Sequence, residues 1–249
     1  AVTYETIFEY VRITGASKGY GGGIKFDGSN PILRNVVING NYAGRGGGID
    51  IQNSSPILDR VIIYGNSAIY LGGGVRLESS SHPTLTNSII TNNDCTNDNC
   101  IGSGIFIGGL ASVPIINTII RGNGDPDKEI FSHPNIYSSY SVLPDNVSSH
   151  DTGQPPIGEG IIYADPLFVD PENRDFTLQD TSPCIDAGTA DIDGDGIDDI
   201  TDYYGSAPDI GAFEWNTDSQ IGDLINDGVI NIQDIILLIE FILGFSEPT

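Results

Sequence analysis

Apolar and polar residues alternate along short segments that each follow a run of glycines. The clearest examples are Gly23-Ile24-Lys25-Phe26, Gly48-Ile49-Asp50-Ile51 and Gly74-Val75-Arg76-Leu77. A period of two places the apolar side chains on one face and the charged ones on the other, as in a β-strand with one buried face. No helical period of useful length occurs before residue 220, so the pattern predicts an all-β fold for most of the chain.

These strand-like segments belong to an internal repeat. The segment 30–41 returns at 55–66 and, in a weaker form, at 82–93, and successive prolines lie 25, 27 and 31 residues apart. A proline suits the first residue of a strand, because no hydrogen-bond donor of the ladder is lost there. A repeat of this length predicts stacked units, each of which buries its apolar face only against its neighbours.

Superposing the repeats aligns equivalent positions into two apolar columns and one asparagine column. The columns are Ile24, Ile49, Val75 and Ile105; Phe8, Leu33, Leu58 and Leu85; and Asn41, Asn66, Asn93 and Asn123. Stacked asparagines at a corner can pass amide hydrogen bonds from coil to coil. The columns predict a right-handed parallel β-helix, a solenoid with about five coils before residue 124.

The repeat also sets the expected domain organisation. We expect a β-helix with its cap over residues 1–215, with regular coils at about 4–123 and irregular coils and the cap at 124–215. The ends of a solenoid are open sheet edges that can pair with another chain, so we expect the cap to cover the C-terminal end. Residues 216–249 form a separate short appendage with a loop at 222–234 and a helix at 235–243.

The chain is strongly acidic, which limits the classes of partner. Its 249 residues contain 10 Lys and Arg against 34 Asp and Glu, a formal net charge of −24. This charge argues against nucleic acid and against anionic membrane surfaces as partners, and it fits calcium binding or simple solubility. No apolar run reaches the ~18–20 residues of a membrane span, so we expect no membrane insertion.

The three cysteines and the missing methionine suggest where the chain acts. Cys95 and Cys100 flank four polar residues and can close a small disulfide loop, which leaves Cys184 as a small buried apolar residue. Because the sequence contains no methionine, we expect a processed mature form or a fragment. Together with the repeat type and the acidity, this predicts a secreted protein that is associated with a cell surface.

Three ordered motifs in residues 161–215 carry a family resemblance. They are Ala164-Asp165-Pro166-Leu167-Phe168, Ser182-Pro183-Cys184-Ile185-Asp186-Ala187-Gly188 and Pro208-Asp209-Ile210-Gly211-Ala212-Phe213-Glu214. They resemble the C-terminal cap of secreted bacterial right-handed β-helix proteins of the pectate-lyase-like superfamily, in particular of its choice-of-anchor group. The resemblance implies an extracellular protein that is often linked to polysaccharide, and it implies no particular activity, because function has to be argued from a site.

One acidic loop follows the pattern of a calcium loop. Asp191, Asp193, Asp195, Asp199 and Asp202 occupy positions 1, 3, 5, 9 and 12, with glycine at position 6. The carbonyl of Ile197 falls at position 7. Calcium prefers six to eight oxygen ligands from a flexible loop. We therefore expect Ca²⁺ as a cofactor here, the alternative being an acidic turn between two cap motifs.

A second loop, residues 222–234, resembles one repeat of a type I dockerin, the calcium-dependent module that binds cohesins. Its matching ligand positions are Asp223, Asp227, Val229 through its carbonyl, Asn231 and Asp234. Ile225 stands at position 3, where the pattern has Asn or Asp, and this weakens the expected calcium affinity. A dockerin also has two such repeats, whereas the chain ends after one.

The predicted helix that follows this loop is apolar on nearly all sides, which indicates that it is buried against something. The residues expected to bind a partner are Ile235, Ile236, Leu238, Ile239, Phe241 and Ile242. Three alternatives are open: the helix folds back on its own β-helix, it docks on another molecule (a second copy of the chain or another surface protein), or it packs in a longer protein against a second repeat that this sequence lacks.

No catalytic residues stand out. Lys25, Asp50 and Arg76 form one charged column on the outer side of the solenoid, and Glu9, Arg34 and Asp59 form another. Alternating charges on neighbouring strands are typical of cross-strand ion pairs. His82, His133 and His150 lie in loops and do not cluster, and a late group of aromatic residues is expected to pack in the cap.

Three hypotheses about function remain open. The first is a non-catalytic structural or adhesive protein that is stabilised by calcium. It would assemble through the C-terminal helix and the open solenoid edge, head to tail or through its tail, into a filament. The second is a polysaccharide lyase or glycoside hydrolase attached by the dockerin-like tail. The third is a module that binds glycan without cleaving it.

Overall fold

The computed structural model of the 249-residue chain describes residues 6–132, 136–145, 147–149 and 158–216. The chain divides into two compact units, Ala1–Glu214 and Trp215–Thr249. The loop at 222–234 and the helix at 235–243 lie outside the described residues. The first unit is an all-β parallel solenoid, as the repeat predicts.

Each of the first four coils contributes one strand to each of four parallel sheets, which we name A, B, C and D in chain order. Coil 1 contains β1 (Ile7–Glu9), β2 (Arg12–Thr14), β3 (Ser17–Tyr20) and β4 (Ile24–Asp27). Coil 2 contains β5 (Ile32–Arg34), β6 (Val37–Asn39), β7 (Tyr42–Arg45) and β8 (Ile49–Gln52). Coil 3 contains β9 (Ile57–Asp59), β10 (Ile62–Tyr64), β11 (Ser67–Leu71) and β12 (Val75–Glu78). Coil 4 contains β13 (Thr84–Thr86), β14 (Ile89–Thr91), β15 (Asp94–Cys95) and β16 (Ile105–Ile107).

Later strands extend three of the four sheets. They are β17 (Val113–Ile116) and β20 (Ile136–Ser139) in sheet A, β18 (Ile119–Ile120) in sheet B, and β19 (Ile130–Ser132) and β21 (Val147–Ser149) in sheet D. A short 3₁₀ turn, Pro126–Lys128, precedes β19. An antiparallel hairpin of β22 (Phe168–Asp170) and β23 (Asp175–Leu178), which are joined by the 3₁₀ turn Pro171–Asn173, follows the solenoid.

The apolar columns that the repeat predicts are confirmed by the strand register. Ile24 pairs with Ile49, Ile49 with Val75 and Val75 with Ile105 in sheet D. In sheet A, Phe8, Leu33, Leu58 and Leu85 are in register in the same way. Because side chains of one column always point to the same side, the core is one continuous apolar stack inside the coils.

The glycine triplets are explained by the corner between sheets C and D. Gly47 is the middle residue of its triplet, and a Cβ atom there would collide with the carbonyl oxygens of Ser67 and Gly73 in the next coil. Gly46 has a φ of 63°, in the left-handed region that favours glycine. The corner therefore needs glycine both for its backbone conformation and for the close approach of the coils.

The asparagine column forms a buried amide ladder. The backbone N–H and the Nδ2 of Asn41 both donate to Oδ1 of Asn66, at 3.1 and 3.0 Å. Asn66 repeats both bonds to Asn93, and Asn93 repeats them to Asn123. All four residues are at most 1% exposed. Each amide thus satisfies buried groups on its own coil and on the next one.

A carboxylate ends this ladder. Asn123 donates from its backbone N–H and from Nδ2 to Oε2 of Glu129, at 3.0 and 3.2 Å. Burial raises the pKa of Glu129 above its ordinary value of 4.5, against the opposing effect of the bonds from Asn123. At the other end, the ladder begins where the backbone N–H of Ala16 donates to Oδ1 of Asn41.

The sequence predicts a cap over the C-terminal end of the solenoid. In the structure, the residues after the coils pack in two different places. Residues 158–162 lie beside the last coil, because Ile162 N–H donates to Ser141 and Leu143 N–H donates to Ile162. The segment that carries the cap motifs packs instead on the outer face of sheet B. There the ring of Phe176 lies 5.1 Å from that of Tyr64 in β10, and Gly211 N–H donates to the carbonyl of Asn117.

The reason for this difference is an apolar outer face on sheet B. Ile62, Ile89 and Ile119 point outward in register, and all three are at most 9% exposed in the folded chain. Asn117 fixes the covering segment, since its Nδ2 donates to the carbonyl of Thr189 and its Oδ1 accepts from Thr189 N–H, both at 2.8 Å. The motif-bearing segment therefore covers the flank of the solenoid.

Glu214 closes that flank segment. Both of its carboxylate oxygens accept from the backbone N–H of Asp209, at 3.2 and 3.3 Å. Burial and the negative charge of Asp209 raise the pKa of Glu214 from 4.5 to about 7, while hydrogen bonds from the backbone of Asp209 and Tyr204 and the charge of Arg60 act in the opposite direction. Between pH 4.5 and about 7, the carboxyl group of Glu214 is therefore mainly protonated in the folded chain and mainly ionised in the unfolded chain.

The ladder predicts a large loss of stability for Asn66→Ala. The substitution removes the acceptor of the Asn41 backbone N–H and the amide that donates to the carbonyl of Ile38, and it leaves Asn93 Oδ1 with only the bond from the backbone N–H of residue 66, so we expect unfolding to require about 3–5 kcal/mol less free energy. Urea unfolding measures this change. Asn99→Ala, at an exposed asparagine outside the ladder, is the matched control and should change stability by less than about 0.5 kcal/mol. A loss below about 1 kcal/mol for Asn66→Ala would contradict the role of the ladder.

Glu214 predicts a pH dependence with a defined sign. Because its pKa is higher in the folded chain, its contribution to stability is complete below pH 4.5 and is lost as the pH rises through about 7. Glu214→Gln keeps an acceptor for Asp209 N–H and removes the charge, so we expect this variant to melt at a higher temperature than the parent at pH 8 and at a similar one at pH 5. Thermal unfolding from pH 5 to 8 measures this, with the exposed Glu172→Gln as control. Parallel curves for parent and Glu214→Gln would refute the assignment.

Candidate functional site

The first predicted calcium loop brings three carboxylates together. One ligand oxygen from each of Asp191, Asp193 and Asp195 lies within 4.8 Å of the others. The two oxygens of Asp191 accept from Gly194 N–H at 2.7 Å and Gly196 N–H at 2.8 Å. Three hard oxygen donors at this spacing are suited to a divalent cation.

The remaining predicted ligands of this loop are placed differently. Oδ2 of Asp199 accepts from Ile192 N–H at 2.9 Å, so this carboxylate ties the end of the loop to its start. Ile197 N–H donates to Asp195, and the Ile197 side chain is 70% exposed. Asp199 and Asp202 do not belong to the group of three close carboxylates. Among the described residues, the acids best placed to hold a metal are therefore Asp191, Asp193 and Asp195.

The second predicted site lies outside the described residues. This applies to its calcium ligands Asp223, Asp227, Val229, Asn231 and Asp234, and to the partner-binding residues Ile235, Ile236, Leu238, Ile239, Phe241 and Ile242. They remain predictions.

Two of the three members of the charged column on sheet D are not exposed as the alternation predicts, whereas Lys25 is exposed. Asp50 is fully buried and Arg76 is 6% exposed, although both point away from the core. Arg76 Nη1 lies 2.7 Å from Asp50 Oδ1, and Arg76 Nη2 lies 3.1 Å from Glu78 Oε1. The Tyr20 ring covers the guanidinium from coil 1, with its centre 5.9 Å from the guanidinium carbon.

This network leaves few side-chain groups on sheet D free to act as an acid or a base. Nε of Arg76 is buried without a hydrogen-bond partner, while its other two nitrogens are held by carboxylates. Lys25 pairs with Asp27 at 3.0 Å, on its own strand. An acid or base has to reach a proton on the substrate at hydrogen-bond distance. The buried Asp50–Arg76 pair does not offer such access in this conformation.

The second charged column contains one cross-strand pair. Nε of Arg34 lies 3.2 Å from Asp59 Oδ2, as the alternation of charges predicts, and Asn87 Nδ2 donates to the other oxygen of Asp59. His82 bonds to Ser112 at an exposed position, while His133 and His150 lie outside the described residues.

A polar cavity of about 150 Å³ lies beside sheet C and was not predicted from the sequence. It is lined by Asp94, Cys95, Asn97, Asp98, Cys100, Ser103, Asp125 and Lys128. A disulfide joins Cys95 and Cys100, as their spacing predicts. Nζ of Lys128 lies 3.4 Å from Asp125 Oδ2 and donates to the carbonyl of Asp98. The longer third period, 31 residues instead of 25, was the signal that marked this insertion.

Exposed tyrosines on sheet C were also missed. Tyr20, Tyr42 and Tyr70, on β3, β7 and β11, are 46%, 40% and 53% exposed. They occupy different offsets from the glycine triplets, so superposing the repeats does not align them. The sequence predicts that the late aromatic residues pack in the cap, but two of them, Tyr137 and Tyr204, are more than half exposed.

No helix among the residues with described structure is long and apolar enough to cross a membrane. Cys184 is a buried free thiol, and burial raises its pKa to about 11, which makes it a poor nucleophile.

Comparison with known proteins identifies the family. Residues 3–154, more than half of the chain, match the family described as "Right handed beta helix region". The chain belongs to this family of right-handed β-helix proteins. No curated protein matches the sequence.

Among solved structures, the chain is similar to one titled "Crystal structure of pectate lyase Pel9A", with 18% sequence identity and a TM-score of 0.48. The alignment covers 84% of this chain and 65% of that one, so the chain spans just under two thirds of the length of the lyase.

Proposed function

We propose that this chain is an extracellular, non-catalytic β-helix protein that serves as a structural or adhesive element at a cell surface. The observation that carries the proposal is the buried Asp50–Arg76–Glu78 network. Asp50 and Arg76, at the centre of the charged column on sheet D, bind each other and are shielded from solvent, and Lys25 of the same column pairs with Asp27. The right-handed β-helix fold is also compatible with a role that involves polysaccharide.

The extracellular location is supported by the disulfide and by the charge. Disulfides persist in oxidising compartments, and Cys95–Cys100 closes a small loop within the turn between β15 and β16. A net charge of −24 keeps such a protein soluble and favours binding of divalent cations.

We further propose that calcium binds at Asp191, Asp193 and Asp195 and stabilises the flank segment. In the absence of a cation, three carboxylates this close repel one another. Assembly with a second copy or with another surface protein, through the predicted helix at 235–243 and the edge of coil 1, with which no other described strand pairs, completes this proposal. Phe8 in coil 1 is 44% exposed, whereas Leu33, the next residue of its column, is fully buried.

An assay of turnover tests the non-catalytic assignment. We expect neither unsaturated products that absorb in the ultraviolet nor new reducing ends from a panel of acidic and neutral polysaccharides, with and without calcium. An active polysaccharide lyase and an active glycoside hydrolase serve as positive controls. Product formation by the purified chain that Arg76→Ala abolishes would overturn the assignment and would favour an attached lyase or hydrolase.

Calcium should raise the melting temperature of the chain relative to chelator. A ligand present at 100 times its dissociation constant adds about 2.7 kcal/mol, which corresponds to a shift of about 5–10 °C for a domain of this size. We expect Asp193→Asn/Asp195→Asn to lose the shift and the exposed Asp180→Asn to keep it. These variants also separate this loop from the one at 222–234. Equal melting temperatures in calcium and in chelator would contradict the calcium site.

A further inference from the structure

Three carboxyl groups hold together the end of the flank segment, residues 164–214. Oδ1 of Asp186 accepts from Ser206 N–H at 2.7 Å, and Oδ1 of Asp209 accepts from Asp186 N–H at 2.8 Å. Both oxygens of Glu214 in turn accept from Asp209 N–H. The three acids therefore form a chain of contacts, which we call the carboxyl knot, and this knot ties two distant turns of the segment together.

The turn that Glu214 closes rests on the outer face of sheet B. Ile210 in this turn is fully buried, and its N–H donates to the carbonyl of Cys184 at 2.9 Å. A Cβ atom on Gly211 would lie 3.0 Å from Cδ1 of Ile119, so the backbone of the turn lies directly against that side chain. Opening of this turn therefore uncovers the apolar face of sheet B and the buried thiol of Cys184.

The surroundings of Glu214 contain more acid than base. The charged groups that face it are Asp209 from its own segment and Arg60 from the turn between β9 and β10, and the backbone N–H of Tyr204 donates to it. Asp209 is 2% exposed and also faces the thiol of Cys184, which is uncharged because burial raises its pKa to about 11. If both carboxyl groups are ionised, they repel each other at a site where water screens them poorly.

We propose that the carboxyl knot is a proton-operated latch. It holds the end of the flank segment on sheet B while Glu214 is protonated, and it releases that end, with the coils still folded, when Glu214 is ionised. The coils stay folded because their own hydrogen bonds run from coil to coil, as in the bonds of Asn66 to its neighbours. A segment that packs on the outside of a fold can open at a lower free energy than the core.

The direction of the switch follows from the two states of Glu214. Burial and the charge of Asp209 raise its pKa to about 7 in the closed segment, against 4.5 for the released carboxyl group. Protonation thus favours the closed segment, and this effect is complete below pH 4.5 and is lost as the pH rises through about 7. Between pH 5 and pH 8, the ratio of open to closed segments should therefore rise by up to about 70-fold.

This latch goes beyond the proposed function, because it involves neither turnover nor the C-terminal helix. The predicted calcium loop lies in the same flank segment, so the latch is measured in chelator. Its result is then independent of whether calcium binds.

The accessibility of Cys184 measures the opening. It is the one free thiol, since Cys95 and Cys100 are joined, and it is fully buried in the closed segment. The probe is a dipyridyl disulfide, which reacts with thiols at acidic pH as well, and each rate on the full chain is divided by that of the urea-unfolded chain at the same pH. We expect this ratio to rise about 10- to 70-fold from pH 5 to pH 8. Glu214→Gln should abolish the rise, whereas the exposed Glu172→Gln should keep it.

Arg60 provides a second test that does not depend on the folding of Glu214→Gln. Its positive charge lowers the pKa of Glu214, so Arg60→Gln should move the pH at which the rise levels off to a higher value. Arg174→Gln, at an exposed arginine of the flank segment, is the matched control and should leave that pH unchanged.

Hydrogen exchange followed by mass spectrometry locates the opening. After correction for intrinsic exchange rates, peptides from residues 205–214 should exchange faster at pH 8 than at pH 5. Peptides that contain Asn66 or Asn93 of the ladder should not.

Three outcomes would overturn the latch. One is an accessibility of Cys184 that does not change between pH 5 and pH 8. Another is a rise that persists in Glu214→Gln. The third is an equal loss of protection in the flank segment and in the ladder, which would mean that the whole chain unfolds.

Discussion

The solenoid depends on the buried amide ladder that runs from Ala16 to Glu129. From coil 2 onward, each coil has to present its asparagine at the same height and corner as the coil before it, because each amide is both donor and acceptor for its neighbours. Once that corner is fixed, the apolar columns and the glycine corners follow in register. Unsatisfied amides in a dry interior are costly, so a coil that shifts by one residue loses more than its own contacts.

The sheets differ in what covers or neutralises the side chains on their outer faces. Sheet B presents isoleucines that the chain covers with its own C-terminal segment, and sheet D presents charges that neutralise one another under Tyr20. Sheet C keeps exposed tyrosines and charges that remain available to other molecules. A structural role is consistent with this division, because two of the faces serve the stability of the fold and a third is left for contacts.

The sequence could predict those features that repeat from coil to coil. The columns of Ile24 and Asn41 have the same spacing in every period, so their register follows from superposition alone. The burial of Asp50 and the exposure of Tyr70 could not be predicted in this way, because both depend on side chains from other coils. The position of the flank segment depends on the isoleucines of sheet B, and the sequence places those in a strand without showing what covers them. For the calcium loop, the spacing predicts that Asp191, Asp193 and Asp195 lie together, whereas the backbone bonds of Asp199 require the folded loop.

The unequal lengths of the coils have a consequence for how such a sequence can evolve. Successive members of the ladder lie 25, 27 and 30 residues apart, yet their hydrogen bonds have nearly the same lengths. The extra residues lie in the turns, such as the one that contains Cys95–Cys100, and in one irregularity of register within β11. The register of the strands is thus insulated from the length of the chain between them. A lineage of such proteins can acquire, exchange or lose whole surface loops, and with them new binding properties, while the scaffold beneath is inherited unchanged.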